Sequence, residues 1–296
     1  MRNGFRLNDG HLREFAAAKV NLCLAVGALR DDGYHNIDSV MTAVSFGDTV
    51  TLVKADDVSV RCDRRLPTGE GNIAYRAAKA FFEFSGISGG VAIEIRKRIP
   101  VGAGLGGGSA DAAAVLRGLQ KLYGSPLDRE SLHRLAAQLG ADVPFCLVGG
   151  TARAGGIGEE LRPISCDTKL YMVIARGRES ASTRLMFSRL DELADRRPSD
   201  GKAHCDAVES ALAGGDVPGL CRAMTNDFEL CYQGLDWFEE LRRRFLCTGA
   251  SGVMLTGSGS AVFGIYRDGP EGLEALKSLR SGGVRCVLCR AGERNN

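Results

Sequence analysis

Residues 91–113 read VAIEIRKRIPVGAGLGGGSADAA. The run 91–99 is rich in Val and Ile and alternates apolar with polar side chains, which predicts a strand that Pro100 closes. Five glycines then fall within the seven residues 102–108, and the chain enters an alanine-rich segment. Ala112, Leu116, Leu119 and Tyr123 share one face at helical spacing, so a helix is expected over about 109–121. Glycine admits positive φ and lets the backbone come close to a ligand. The N–H groups that open a helix have no internal partner and carry the positive end of its dipole. Strand, glycine loop and helix start together make an anion cradle, most naturally for phosphate. The plainer alternative is a flexible turn in which Ser109 serves only as the helix N-cap.

Three familiar phosphate binders do not fit. Gly102, Gly104 and Gly107 match GxGxxG, but a dinucleotide fold needs a second parallel strand ending in an acidic residue about twenty positions on, where this chain reads Pro126-Leu-Asp-Arg-Glu. No Gly-Lys-Ser/Thr follows the glycines as in a P-loop, and no VAIK, HRD or DFG stands in a protein-kinase arrangement.

Outward from the loop, short apolar or alternating bursts (VMTAVSF, DTVTLV, VSVRC) predict antiparallel strands in the first sixty residues. Helices are expected over 72–84 and 129–139, the second stopping at Gly140. After Pro163 come a strand (KLYMVIA), a short helix over 183–190, a polar stretch at 191–202 read as a mobile loop, and helices over 206–212 and 234–245. Strands at 252–255 and 261–266, a helix over 270–279 and a strand at 284–288 complete the chain. Strands mixed with helix pairs, without strict alternation, indicate α+β, with a domain boundary near Pro163.

The 296 residues are 44% hydrophobic and 25% charged, as in an ordinary globular chain with a substantial core. Thirty-eight basic against thirty-six acidic residues leave +2, which removes the global case for a nucleic-acid partner. No apolar run is long enough for a membrane span, and Lys19 and Asn21 interrupt the first apolar stretch, so no signal peptide and a cytoplasmic location are expected. Ten cysteines then read as reduced, mostly packed thiols; Cys286-Val-Leu-Cys289 lacks the second pair of a zinc site.

Four polar positions stand out. Lys19 and Asn21 lie two apart in the apolar run AKVNLCL, on one face of a strand, either as an exposed edge or as working groups. Asp142, in GADVPF, follows a helix stop and precedes what Pro144 should make an extended segment; it is either a turn former or a base. RDDGYH, 30–35, carries a hairpin turn signal. LTGSGSA, 255–261, is either a tight turn or a second place of close backbone approach.

In this order, together with GNIAYRAA, GGTARAGGIGEEL and TNDFE, these motifs resemble the GHMP kinases over roughly 16–266, the glycine loop marking the superfamily at large. RDDGYH after AKVNL, with GADVPF downstream, resembles the branch acting on a cytidine-diphosphate-linked methylerythritol. The resemblance implies a ribosomal-S5-domain-2-like half, 1–163, a ferredoxin-like half, 164–296, and ATP-dependent phosphorylation of that small molecule's 2-hydroxyl with Mg²⁺. It implies Lys19 and Asp142 as the catalytic pair. Pro100, Val101, Gly102, Ala103, Gly104, Leu105, Gly106, Gly107, Gly108, Ser109 and Ala110 would form the ATP loop, with Asn72 and Lys97 near the adenosine. Tyr34 and His35 would hold cytosine, and Asn21 and Thr183 would contact substrate. The chain departs from the family in Ala16-Ala17-Ala18 before Lys19, in Ala110 where a serine is common, and in Ala175-Arg176-Gly177 after the strand. The competing expectations are a homoserine-kinase-like enzyme and a non-catalytic ATP binder; Lys19 and Asp142 speak against the latter.

Overall fold

The structure is a computed structural model that describes residues 10–166, 168–178, 182–193, 198 and 201–292. Its first sheet is built on two long antiparallel strands, β1 (Leu12–Leu29) and β2 (His35–Ala55). β3 (Ser59–Cys62), α1 (Ile73–Ser85), β4 (Gly90–Arg96), α2 (Gly107–Leu122), α3 (Arg129–Leu139), α4 (Val143–Val148), β5 (Thr151–Gly155) and β6 (Glu160–Pro163) follow. The strand order is β3-β4-β2-β1, with β5 on the first part of β2 and β6 on β5. Every residue from 16 to 26 is buried, so β1 is packed on both faces and reads as one apolar run. That excludes the exposed-edge alternative for Lys19 and Asn21.

The second half runs β7 (Tyr171–Ala175), α5 (Thr183–Asp191), α6 (Lys202–Gly214), α7 (Val217–Ala223), β8 (Thr225–Asn226), a 3₁₀ turn at Asp227–Tyr232, α8 (Asp236–Cys247), β9 (Gly252–Leu255), β10 (Val262–Tyr266), α9 (Gly269–Ser281) and β11 (Cys286–Arg290). The antiparallel order β11-β7-β10-β9 has the last strand beside the first and the third beside the second, the ferredoxin-like arrangement. β8 leaves this half and pairs in parallel with β1, so the first sheet is completed by residues more than two hundred positions downstream.

Several expectations need correction. The strand before the glycine loop stops at Arg96, because side-chain carboxylates capture the next backbone donors: Asp63 accepts from Lys97 N–H, and Asp48 from Arg98 and Ile99 N–H. α2 starts at Gly107 with Gly106 at the N-cap, so Ser109 lies inside the first turn and is not the cap. Pro144 does not hold an extended segment; it occupies the first turn of α4, where a missing N–H costs nothing. The last strand lies two residues later than expected, and half of 191–202, read as a loop, falls outside the described residues, while Asp191 ends α5 and Lys202 opens α6. Of the ten cysteines, all without a disulfide, four are buried, five half-buried and Cys247 exposed. Cys286 and Cys289 pack into the two different cores on either face of β11, which suits strand alternation and separates the thiols.

Candidate active site

Lys19 Nζ lies 3.5 Å from Asp142 Oδ2 and 2.9 Å from Asn21 Oδ1. The lysine side chain is 6% exposed and the aspartate 34%, so the pair sits where a buried cation meets an open carboxylate. β1 supplies Lys19 and Asn21 on one face, and the residue preceding α4 supplies Asp142. Cys146, one turn further along α4, has its thiol pushed up to about 12, by burial first and by the Asp142 charge second, so it stays neutral beside the pair.

Asn21 is tied down on every side. Its Oδ1 accepts from Lys19 and from Gly257 N–H, its Nδ2 donates to Ser39 Oγ, and its backbone N–H donates to Thr256 Oγ1. A backbone donor at Oδ1 fixes which end of the amide is oxygen, and that oxygen aims the lysine.

The glycine loop packs on this group. Lys19 N–H donates to Leu105 O, and a Cβ on Gly106, whose φ is +68°, would stand 3.0 Å from Lys19 Cγ. Gly104, at φ +75°, lies against the 256–261 loop, where a Cβ would stand 2.1 Å from Thr256 O. The open question about LTGSGSA resolves as close approach, but to the other glycine loop. TNDFE, to which the sequence reading gave no task, links β1 to the turn after β9: Asp227 accepts from Val26 N–H, Asn226 Nδ2 donates to Leu255 O and Gly257 O, and Glu229 accepts from Leu255 N–H.

Pro100, Val101, Gly102, Ala103, Leu105, Gly107, Gly108, Ser109 and Ala110 complete the loop and the first turn of α2, with Val101 exposed and Ala103, Leu105 and Ala110 buried. Asn72 caps α1, accepting from Ala74 N–H and donating to Pro67 O; Ile73 beside it touches the Gly108 position. Lys97 is not open to a ligand: its Nζ donates to Asp48, to Asp111 Oδ2 at 2.6 Å and, at 3.5 Å, to Gly107 O. Burial works against the Lys97 ammonium, but the charges of Asp111 and Asp48 outweigh it and its pKa is raised. Burial lifts Asp111 to about 7 despite Lys97.

At the hairpin the two adjacent residues differ in burial. Tyr34 is 58% exposed, whereas His35 is buried, with Nδ1 on Gly27 O, Nε2 on Asp191 Oδ2 and its ring stacked on Phe187 at 5.1 Å. Thr183 Oγ1, at the start of α5, lies 3.1 Å from Ser258 Oγ in the 256–261 loop. Asp48, Ser39 and Phe187 had no local signal, and Asn226 stood in TNDFE without a role; the partners of all four lie elsewhere in the chain.

The model of the GHMP kinases N terminal domain matches residues 72–150, and that of the GHMP kinases C terminal matches 208–285. A 4-diphosphocytidyl-2-C-methyl-D-erythritol kinase of Alkaliphilus metalliredigens is 42% identical over 88% of this chain and 90% of its own. One of Desulfitobacterium hafniense is 42% identical over 86% of both. A crystal structure of a 4-(cytidine 5′-diphospho)-2C-methyl-D-erythritol kinase superposes with a TM-score of 0.80 at 36% identity, covering 95% of this chain and 99% of that one. Homoserine kinase of Cytophaga hutchinsonii, at 20% identity and a TM-score of 0.77 over 99% and 98%, shares the fold.

Proposed function

The chain belongs to the GHMP kinases, in the family of 4-diphosphocytidyl-2-C-methyl-D-erythritol kinases, and from that premise we propose that it transfers the γ-phosphoryl group of ATP to the 2-hydroxyl of this cytidine-diphosphate-linked alcohol. One observation carries the reading: Lys19, paired with Asp142, lies against Gly106 of the glycine loop, as a cation and a base beside a phosphate cradle would.

Phosphoryl transfer asks mainly for alignment and charge neutralisation. Backbone N–H groups at the start of α2 hold the phosphates. Asp142 accepts the hydroxyl proton as the oxygen attacks, and Lys19 Nζ, 3.5 Å from that carboxylate, offsets charge on the transferring group. Asn21 aims Lys19, in addition to any contact with substrate. Mg²⁺ bound with the nucleotide would neutralise phosphate charge. The Ser109 hydroxyl, in the first turn of α2, would be the protein's donor to that ion. Asn72 and Lys97 border the nucleotide, Lys97 through its grip on Gly107. Tyr34, His35 and Thr183 set substrate choice. The division at Pro163 belongs to the same proposal, since β6 ends there and the family matches fall on either side. No helix among the described residues is long and apolar enough to cross a membrane. A cytoplasmic location belongs to the same proposal and is supported by the ten free thiols, which a reducing compartment preserves.

The test is ADP release with a panel of hydroxyl substrates. Turnover is expected with the cytidine-linked alcohol; turnover with homoserine in its place would overturn the assignment. Tyr34→Ala is expected to raise the KM for the cytidine substrate about ten- to a hundredfold, the range of lost base stacking, with the KM for ATP and the Tm unmoved because the ring is exposed. Equal changes in both KM values would remove Tyr34 from substrate choice.

A further inference from the structure

Beneath the glycine loop, Asp48, Lys97 and Asp111 form a buried charge cluster; Asp48 is 0% exposed, Lys97 6% and Asp111 4%. Each member comes from a different element. Asp48 lies in β2, Lys97 just past β4, and Asp111 in the second turn of α2. β2 and β4 pair as far as Thr49 and Arg96, so Asp48 stands where the next rung of the ladder would form. Its Oδ1 takes the N–H groups of Arg98 and Ile99 instead, and turns the chain toward Pro100. Its Oδ2 holds Lys97 Nζ, which reaches across to Asp111 Oδ2 and Gly107 O in the opening turns of α2. One side chain thus grips the residues entering the glycine loop and, through one lysine, the residues leaving it.

We infer that Asp48 is a positioning residue for nucleotide binding: by tying 98–99 to Gly107 and Asp111 through Lys97, it fixes the separation of the two ends of the loop. The inference rests on the reading that this loop cradles ATP phosphates. The packing around the tie is tight. A Cβ on Gly107 would stand 2.9 Å from Ile99 Cγ2 and 3.4 Å from Lys97 Nζ, so the ends of the loop touch at their base. Loop N–H groups bind phosphate well only if they are held in place beforehand, and displacements of about an ångström suffice to cost on the order of a hundredfold. A purely structural cluster would add stability without favouring either substrate.

Asp48→Asn separates the two roles of this carboxylate. The amide oxygen still accepts from Arg98 and Ile99, but an NH₂ group now faces the Lys97 ammonium, donor against donor. In Asp111→Asn the amide can turn its oxygen toward Lys97, and the tie survives with one charge fewer. By calorimetric titration of the folded full-length variants, Asp48→Asn is expected to bind ATP about ten- to a hundredfold more weakly, with binding of the cytidine substrate unchanged. Asp111→Asn, which keeps an oxygen on Lys97, is expected to weaken ATP much less than Asp48→Asn does. Should Asp48→Asn fail to fold, Asp48→Glu, which keeps the charge but moves the carboxylate by one methylene, is expected to weaken ATP in the same selective way. Unchanged ATP affinity in a folded Asp48 variant would overturn the inference, as would equal losses from Asp48→Asn and Asp111→Asn, which would make buried charge the cause. Titration needs no turnover. A parent protein that binds ATP without phosphorylating the cytidine compound would therefore reject the proposed reaction while leaving this inference to the Asp48 variants.

Discussion

Asp142→Asn is expected to lower turnover about 10²- to 10⁴-fold, the usual contribution of a positioned base, while ATP affinity and Tm stay near those of the parent. The carboxylate is a third exposed and its ion pair is a single 3.5 Å contact, so the amide is accommodated without structural cost. What it removes is the acceptor for the hydroxyl proton and the anion opposite Lys19. Lys19→Ala strikes the same step from the other side and also frees Asn21 Oδ1 to bond Gly257 alone. The double variant should therefore lose much less than the product of the two single losses, as expected of groups that act as a unit. Steady-state turnover of the two single variants and the double decides this. Near-parental turnover in Asp142→Asn would remove the base, and strictly multiplicative losses would separate the pair.

The largest combined effect on stability and activity is expected from Gly104→Val. Positive φ alone costs a side-chain-bearing residue about 1–2 kcal/mol. Here the added Cβ would also stand 2.1 Å from Thr256 O, a backbone atom that cannot swing aside, and Ala103 O close by holds Ala261 N–H. Together these should cost on the order of 3–5 kcal/mol and lower the Tm by roughly 10 °C. The 256–261 loop would be pushed off Asn21, and Lys19 would lose its aim, so turnover at a temperature where the variant is folded should fall as well. Gly124→Val is the control: its φ is +78°, yet nothing lies within 4 Å of the Cβ position. If both variants lose the same stability and keep the same turnover, the meeting of the two glycine loops has no part in the site.

How much of this was legible follows the range of the interactions. The strand, glycine loop and helix of 91–122 could be read because periodicity and glycine spacing are local properties, and α3 matches its expected bounds for the same reason. Lys19 and Asn21 on one face followed from strand alternation alone, and their 2.9 Å bond agrees with it. The end of β4 was misplaced because the apolar pattern continues through Ile99, whereas the backbone donors there answer to Asp48, fifty-one positions away from that residue. The tasks of Asn226, Asp227 and Glu229 could not be read because each is defined by a backbone group in another element. Pro144 misled because proline both ends extended runs and opens helices, and a six-residue helix has too short a period to decide between them.

β1 has a consequence in time as well as in space. A ribosome adds about 5–20 residues per second, so the strand bearing Lys19 emerges roughly ten to fifty seconds before Gly257, 236 positions beyond Asn21, can meet it. For that interval the edge of β1 that β8 will cover has no strand on it, and Asn21 has no backbone donor to set its amide. Loop closure over such distances comes late on any folding route. Kinase activity should therefore arrive in one step, with the last quarter of the chain, and a prematurely released fragment would be an open sheet edge for chaperones to guard.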